Sequence, residues 1–150
     1  MALLKIYTGE EPVLRQKARN ISKISKQLRV LAEDMLETMY HANGVGLAAP
    51  QVGVSERMVV IDAGAGPIIL INPEITKLEG ENRDAEGCLS LPGRSEYITR
   101  ADRVSVTALD LNGKKIKLTG EGLLARAFQH EIDHLNGILF IDYLTSTKEK

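Results

Sequence analysis

His130-Glu131-Ile132-Asp133-His134 sets two imidazoles four residues apart with a carboxylate directly after the first. In a helix, residues i and i+4 stand one above the other on the same face, so both rings reach a single divalent ion. Glu131 would then stand beside that ion, where a carboxylate can take a proton from an activated water molecule. The chemistry implied is hydrolysis. A surface helix of mixed charge could carry the same five residues, but it would call for no further ligand elsewhere in the chain.

Two histidines do not hold a catalytic ion; a third protein ligand and an open position for water are needed. The longer pattern H-E-x-x-H-x-x-G-x-x-H matches through Gly137 but requires histidine where Phe140 stands, which excludes that family. Only Glu149 among glutamates follows the motif, in a charged terminal tail. The ligand is therefore sought upstream. Cys88 is the only cysteine, set in Glu86-Gly87-Cys88-Leu89-Ser90-Leu91-Pro92, where glycine and proline bracket a short segment able to approach an ion closely. A lone cysteine is usually a small buried apolar residue. Beside two converging imidazoles, its thiolate instead completes a Cys-His-His set suited to Zn²⁺ or Fe²⁺.

The elements that must position these groups read as a single domain over residues 1–150. The chain is 43% hydrophobic and 26% charged, sufficient for one core without staples. A formal net charge of -1, from 19 basic and 20 acidic residues, gives no signal for nucleic acid. One cysteine excludes a disulfide-stapled secreted fold, and no apolar run reaches membrane-spanning length, so a cytoplasmic protein is expected. Residues 8–27 read as an extended strap. Leu28, Leu31, Ala32, Met35, Leu36 and Met39 follow helical spacing, with Ser25 as cap, Asn43-Gly44 as stop, and His41 in the last turn, where its cation suits the helix dipole. Residues 44–51 read as a glycine-punctuated loop. Residues 57–61 and 68–71 read as paired buried strands, 103–109 as an alternating strand, and 109–118 as a hairpin around Asn112-Gly113. The motif helix is expected from about Gly120 to Leu135, stopped by Gly137, with one more apolar cluster over 138–144. Clustered strands flanked by an early and a late helix predict an α+β fold: antiparallel strands packed around a C-terminal helix that carries the motif, with one N-terminal amphipathic helix.

Three segments together, Gly44-Val-Gly-Leu-Ala-Ala-Pro-Gln51, Glu86-Gly-Cys-Leu-Ser90 and Gln129-His-Glu-Ile-Asp-His134, resemble the signature motifs of the peptide deformylases. The likeness extends to Pro12-Val-Leu-Arg15 and Leu91-Pro92, and so covers nearly the whole chain in order. It implies an enzyme that removes the formyl group from N-formylmethionine of nascent chains, with Cys88, His130 and His134 as ligands of one divalent ion. By the same likeness that ion is Fe²⁺, with Zn²⁺ or others accepted. Glu131 is implied as general base and acid, and Gln51 with the backbone N–H of Leu89 as donors to the oxyanion. Gln51 alone could equally be a loop residue bonded to backbone. Val45 and Gly46 are implied to pair with the extended peptide, and Val45, Leu123 and Ala127 to line the methionine pocket, although each could be plain core.

Asp133 either orients a ligand or pairs with an arginine such as Arg100. Formylmethionyl nascent chains are the implied substrate and the ribosome a further partner; many members carry a long C-terminal helix, of which Ile138 to Lys150 leave a short polar remainder. A monomer is expected. Two other classes fit the same residues: another metal-dependent amide hydrolase or peptidase, and a non-catalytic module whose structural ion would need a fourth ligand such as His41.

Overall fold

A computed structural model describes residues 2–148, with side chains as far as Leu144; Glu149 falls outside the described residues. In chain order come helix α1 (Lys26–His41), strands β1 (Gly46–Ala48), β2 (Met58–Ile61), β3 (Ile68–Glu79), β4 (Asn82–Cys88), β5 (Leu91–Arg100), β6 (Arg103–Leu109) and β7 (Lys115–Glu121), then helices α2 (Leu123–Leu135) and α3 (Ile141–Lys148). Five strands form one antiparallel sheet in the order β1-β2-β3-β6-β7, and β4 pairs with β5 as a separate hairpin. The fold is α+β, as expected. None of the described helices is long and apolar enough to cross a membrane.

Strand β2 explains the layering. All four of its residues are buried, and because side chains alternate across a strand they feed two cores. Val59 and Ile61 join Leu70, Val104, Val106 and the α2 residues Ala125, Phe128, Ile132 and Leu135. Met58 and Val60 join Ile71 and the α1 residues Leu28, Ala32, Met35 and Met39 on the opposite face. The sheet therefore lies between the two long helices, its strands packed against α2 on one face and against α1 on the other. Ser25 caps α1, its Oγ accepting from the Leu28 N–H at 3.1 Å, and Asn43 at φ 58° ends it. There the Asn43 and Gly44 N–H groups return to the carbonyls of Tyr40 and Met39, which satisfies the final turn. His41 closes that helix, exposed.

Besides the β4 and β5 hairpin, where no strands are expected from the sequence, and the run of β3 on to Glu79, four segments depart from the sequence expectations. The ladder between β6 and β7 continues to Arg103 opposite Glu121, so Gly120 is strand and α2 starts at Leu123. Residues 46–48 of the presumed loop form β1, and Ala49–Val52 a 3₁₀ turn. The strap contains a 3₁₀ turn at Pro12–Arg15 and pairs with the segment just before β2 through an isolated Arg19 and Glu56 bridge. The terminal apolar cluster buries Leu139 and Phe140 and then continues into α3.

Gly137 ends α2 at φ 75°, its N–H bonding to the His134 carbonyl and the Ile138 N–H to that of Asp133. A Cβ at Gly137 would lie 2.6 Å from the Arg15 carbonyl oxygen. Gly137→Ala should therefore lower unfolding free energy by about 2 kcal/mol or more, measured by urea denaturation, with the loss concentrated where the strap meets the end of α2.

Candidate active site

Helix α2 carries two stripes. Ala125, Phe128, Ile132 and Leu135 point into the sheet, while Ala127, His130, Glu131 and His134, spaced i, i+3, i+4, i+7, form the other stripe. The second stripe meets the turn between β4 and β5, which begins at Cys88. Cys88 Sγ lies 3.3 Å from His134 Nε2, and His134 Nε2 lies 3.1 Å from His130 Nε2. The donor atoms of Cys88, His130 and His134 all lie within 4.8 Å of one another.

One carboxylate aims His130. Its Nδ1 contacts Glu86 Oε2 at 2.5 Å, so a neutral ring carries its proton there and presents the Nε2 lone pair toward Cys88 and His134. Glu86 also accepts from Arg100 Nε at 3.0 Å, Arg100 Nη2 at 2.6 Å and Arg126 Nη1 at 2.9 Å. Arg126 is fixed in turn on the carbonyls of Ile98 and Asn82. Burial alone would raise the Glu86 pKa, but the hydrogen bonds from His130 and Arg100 outweigh it and hold the group far below the usual carboxylate range. Glu86 stays ionised. The Arg100 bridge to Asp133, 2.7 Å, realises the pairing expected from the sequence. Glu86 itself was not anticipated: only its place two residues before Cys88 hinted at it.

Glu131 stands where β1 passes under α2. A Cβ on Gly46 would fall 2.6 Å from Glu131 Oε2 and 2.8 Å from its Cγ, so the carboxyl occupies space that only glycine leaves. Glu131 Oε1 and His134 Nδ1 are buried with no hydrogen-bond partner among the described residues. Burial is the main cause that pushes the Glu131 pKa up, to about 7; the His130 charge opposes it. Burial would depress His130, but the charge of Glu131 and the contacts to Cys88 and Glu86 prevail and raise it to about 10. His134 moves well below its ordinary value, through burial and then its cationic neighbour His130. A proton and a cation compete for the same Nε2 of His130.

Gln51 bonds to backbone through one end of its amide and faces Ser90 and Cys88 with the other. Its Oε1 accepts from the Ala48 N–H at 2.9 Å, while Nε2 donates to Ser90 Oγ at 3.1 Å and lies 3.7 Å from Cys88 Sγ. Leu89 follows Cys88 in the turn, with its side chain over Gly44. A cleft of about 600 Å³ opens over these groups, and Val45, Gly46, Gln51, Leu89, Leu123, Ala127 and Glu131 all line it. Leu123 is half exposed at 53%, Ala127 is buried. The structure does not bring His41 to the site: the group that could hold an ion contains Cys88, His130 and His134 and no fourth member among the described residues.

A soft thiolate and two neutral imidazoles, one oriented by a carboxylate, make a donor set that fits a divalent transition ion and leaves a coordination position open. With a buried acid alongside, this fold and site define a metal-dependent hydrolase.

The sequence profile of the polypeptide deformylase family matches residues 3–150. A peptide deformylase of Halothermothrix orenii is 53% identical, covering 100% of this chain and 99% of its own length. One from Desulfitobacterium hafniense is 52% identical with 100% of both chains covered. The crystal structure of the peptide deformylase from Thermotoga maritima superposes with a TM-score of 0.93 at 45% identity, covering 95% of this chain and 97% of that one. The chain belongs to the polypeptide deformylase family.

The buried acid carries a stability cost. A carboxyl whose pKa is raised from 4.5 to about 7 on folding contributes nothing well below pH 4.5, where it is protonated in both states, destabilises progressively between pH 4.5 and about 7, and carries a constant cost above that. Glu131→Gln should therefore stabilise the metal-free protein by up to about 3 kcal/mol above pH 7 and negligibly at pH 4. Chemical denaturation after chelation, at both pH values, measures the difference.

Proposed function

We propose that the chain removes the formyl group from N-formylmethionyl peptides, releasing formate and a free amine, with Cys88, His130 and His134 holding one divalent ion. Fe²⁺ is the ion proposed for the cell, and Zn²⁺ suits the same donors. The observation that carries this reading is the meeting of Cys88 Sγ with the two Nε2 atoms beside the buried Glu131 carboxyl, in a chain of this family. Bound there, the ion supplies Lewis acidity that activates water and polarises the formyl carbonyl.

The protein groups do the rest. Glu131, close to neutrality in its own titration, takes the proton of the attacking water and returns it to the nitrogen that leaves. Gln51 Nε2, held by Ser90 and by its own Oε1 contact to Ala48, donates to the oxygen that becomes negative, together with the Leu89 N–H. Fixed donors of this kind need no reorganisation as charge develops.

Strand β1 is an edge of the large sheet, and an edge offers hydrogen bonds to an extended peptide. Its capacity is narrower than the sequence suggested. The Val45 carbonyl is taken by the Asp62 N–H at 2.8 Å. The Ala48 N–H faces Gln51 rather than β2, so Gly46, two residues earlier in the same pleat, turns its backbone groups to the same open side. Gly46, through its own N–H and carbonyl, is the proposed peptide rail. Val45, Leu123 and Ala127 are the proposed walls for the methionine side chain. A monomer in the cytoplasm, acting on chains that emerge from the ribosome, completes the proposal.

Formate release from formyl-Met-Ala, with Fe²⁺ supplied without oxygen, tests the proposal against cleavage of unformylated Met-Ala; turnover of the second substrate alone would favour a peptidase. Glu131→Ala should abolish turnover while metal content stays near one ion per chain; unchanged turnover would favour a structural ion. Gln51→Ala should lower kcat by about 100- to 1000-fold, with metal content again unchanged.

A further inference from the structure

Three groups beyond Glu86 form a second tier of the site. Arg100 donates from Nε and Nη2 to Glu86, and from Nη1 to Asp133 Oδ2 at 2.7 Å. Asp133 belongs to α2, three residues after His130. Arg100 therefore closes a ring that runs from His130 through Glu86 on β4 and back to the helix that carries His130. The ring is closed on its outer side by Tyr143 of α3. The Tyr143 hydroxyl donates to Asp133 Oδ2 at 2.7 Å and lies 3.4 Å from Arg100 Nη1, and the Arg100 guanidinium stacks over the Tyr143 ring at 4.9 Å.

We infer that Tyr143 is a positioning residue for the metal centre: its ring and hydroxyl together fix Arg100, and through Arg100 they hold Glu86 against His130. An arginine side chain has many rotamers, and Glu86 alone could follow a moving Arg100 by rotating its carboxylate about the bond to Cγ. A hydroxyl on Asp133 and an aromatic face against the guanidinium remove that freedom and keep water from the pair, which strengthens both contacts. Arg126 cannot substitute, because its Nη1 and Nη2 groups are committed to Ile98, Asn82 and the other oxygen of Glu86. The α3 segment is thereby mechanically continuous with a ligand nitrogen it never touches.

This inference rests on the reading that Cys88, His130 and His134 hold a divalent ion, and the test separates the two. The metal-free full chain is titrated with Co²⁺, following the thiolate-to-cobalt absorption, and the affinity is read by competition with a chelator. The wild type should show the band. Tyr143→Phe, which keeps the ring and loses the hydroxyl, should weaken Co²⁺ binding roughly 3- to 10-fold, less than the 10- to 100-fold typical of a group bonded directly to a ligand. Tyr143→Ala should weaken it further. The melting temperature of metal-free Tyr143→Phe should match the wild type, and in an Asp133→Ala background the hydroxyl deletion should have no added effect on affinity. Affinities within twofold of wild type in both Tyr143 variants, additive effects with Asp133→Ala, or a loss matched by a lower metal-free melting temperature would each overturn the inference. A wild type without the band would sink the metal reading and this inference with it.

Discussion

The contact between Glu86 and His130 is the constraint on which the site depends. A neutral histidine can carry its proton on either nitrogen, and only one choice leaves Nε2 free to meet Cys88 and His134. The carboxylate at 2.5 Å settles that choice, and two buried arginines keep the carboxylate charged and still. Burying four charged or polar groups together is not a route to stability, since apolar replacements of the same volume are often as stable. Removing one partner is another matter, because the charges left behind cost about 3–5 kcal/mol. Such a cluster is retained for what it orients.

The cluster also ties the two pieces of the structure that must meet. Glu86 and Arg100 come from the separate β4 and β5 hairpin, His130, Arg126 and Asp133 from α2. The main sheet aligns neither piece alone. It places α2 through Phe128 and its neighbours on one face, and places β1 so that Gly46 admits the Glu131 carboxyl from beneath. The hairpin is then drawn to the helix by ionic contacts instead of by a core, and its exposed strand surface agrees with that: of the β4 residues, Glu86 alone is buried.

Much of this was legible beforehand. The spacing of His130 and His134, the lone Cys88, the helix stop at Asn43-Gly44 and the Asn112-Gly113 hairpin are local signals, each written within a few residues, and the structure carries them. What was not legible is long-range. The hairpin over residues 82–100 has little apolar alternation because both of its faces are largely exposed, so pattern reading had nothing to detect. Glu86 and Arg126 are forty residues apart and look like ordinary surface charges until the chain folds them together. The start of α2 was placed too early because Gly120 and Glu121 carry no strand propensity; their pairing with Val104 and Arg103 decides the matter. Gly46, expected to leave room for a peptide, also leaves room for the buried Glu131 carboxyl.

The strap at the start of the chain completes the arrangement. The Tyr7 N–H bonds to the Gln51 carbonyl at 2.7 Å and the Gly9 N–H to the Ser90 carbonyl at 2.9 Å, so the earliest residues brace the segments that bear Gln51 and Cys88. Those residues have nothing to bind until the segments bearing Gln51 and Ser90 are in place. Their anchors follow long after, and His130 and His134 later still, so loop closure over most of the chain precedes any working centre. Cys88 and the two histidines lie more than forty residues apart in sequence, so the three donors meet in one cooperative step and are not gathered one at a time.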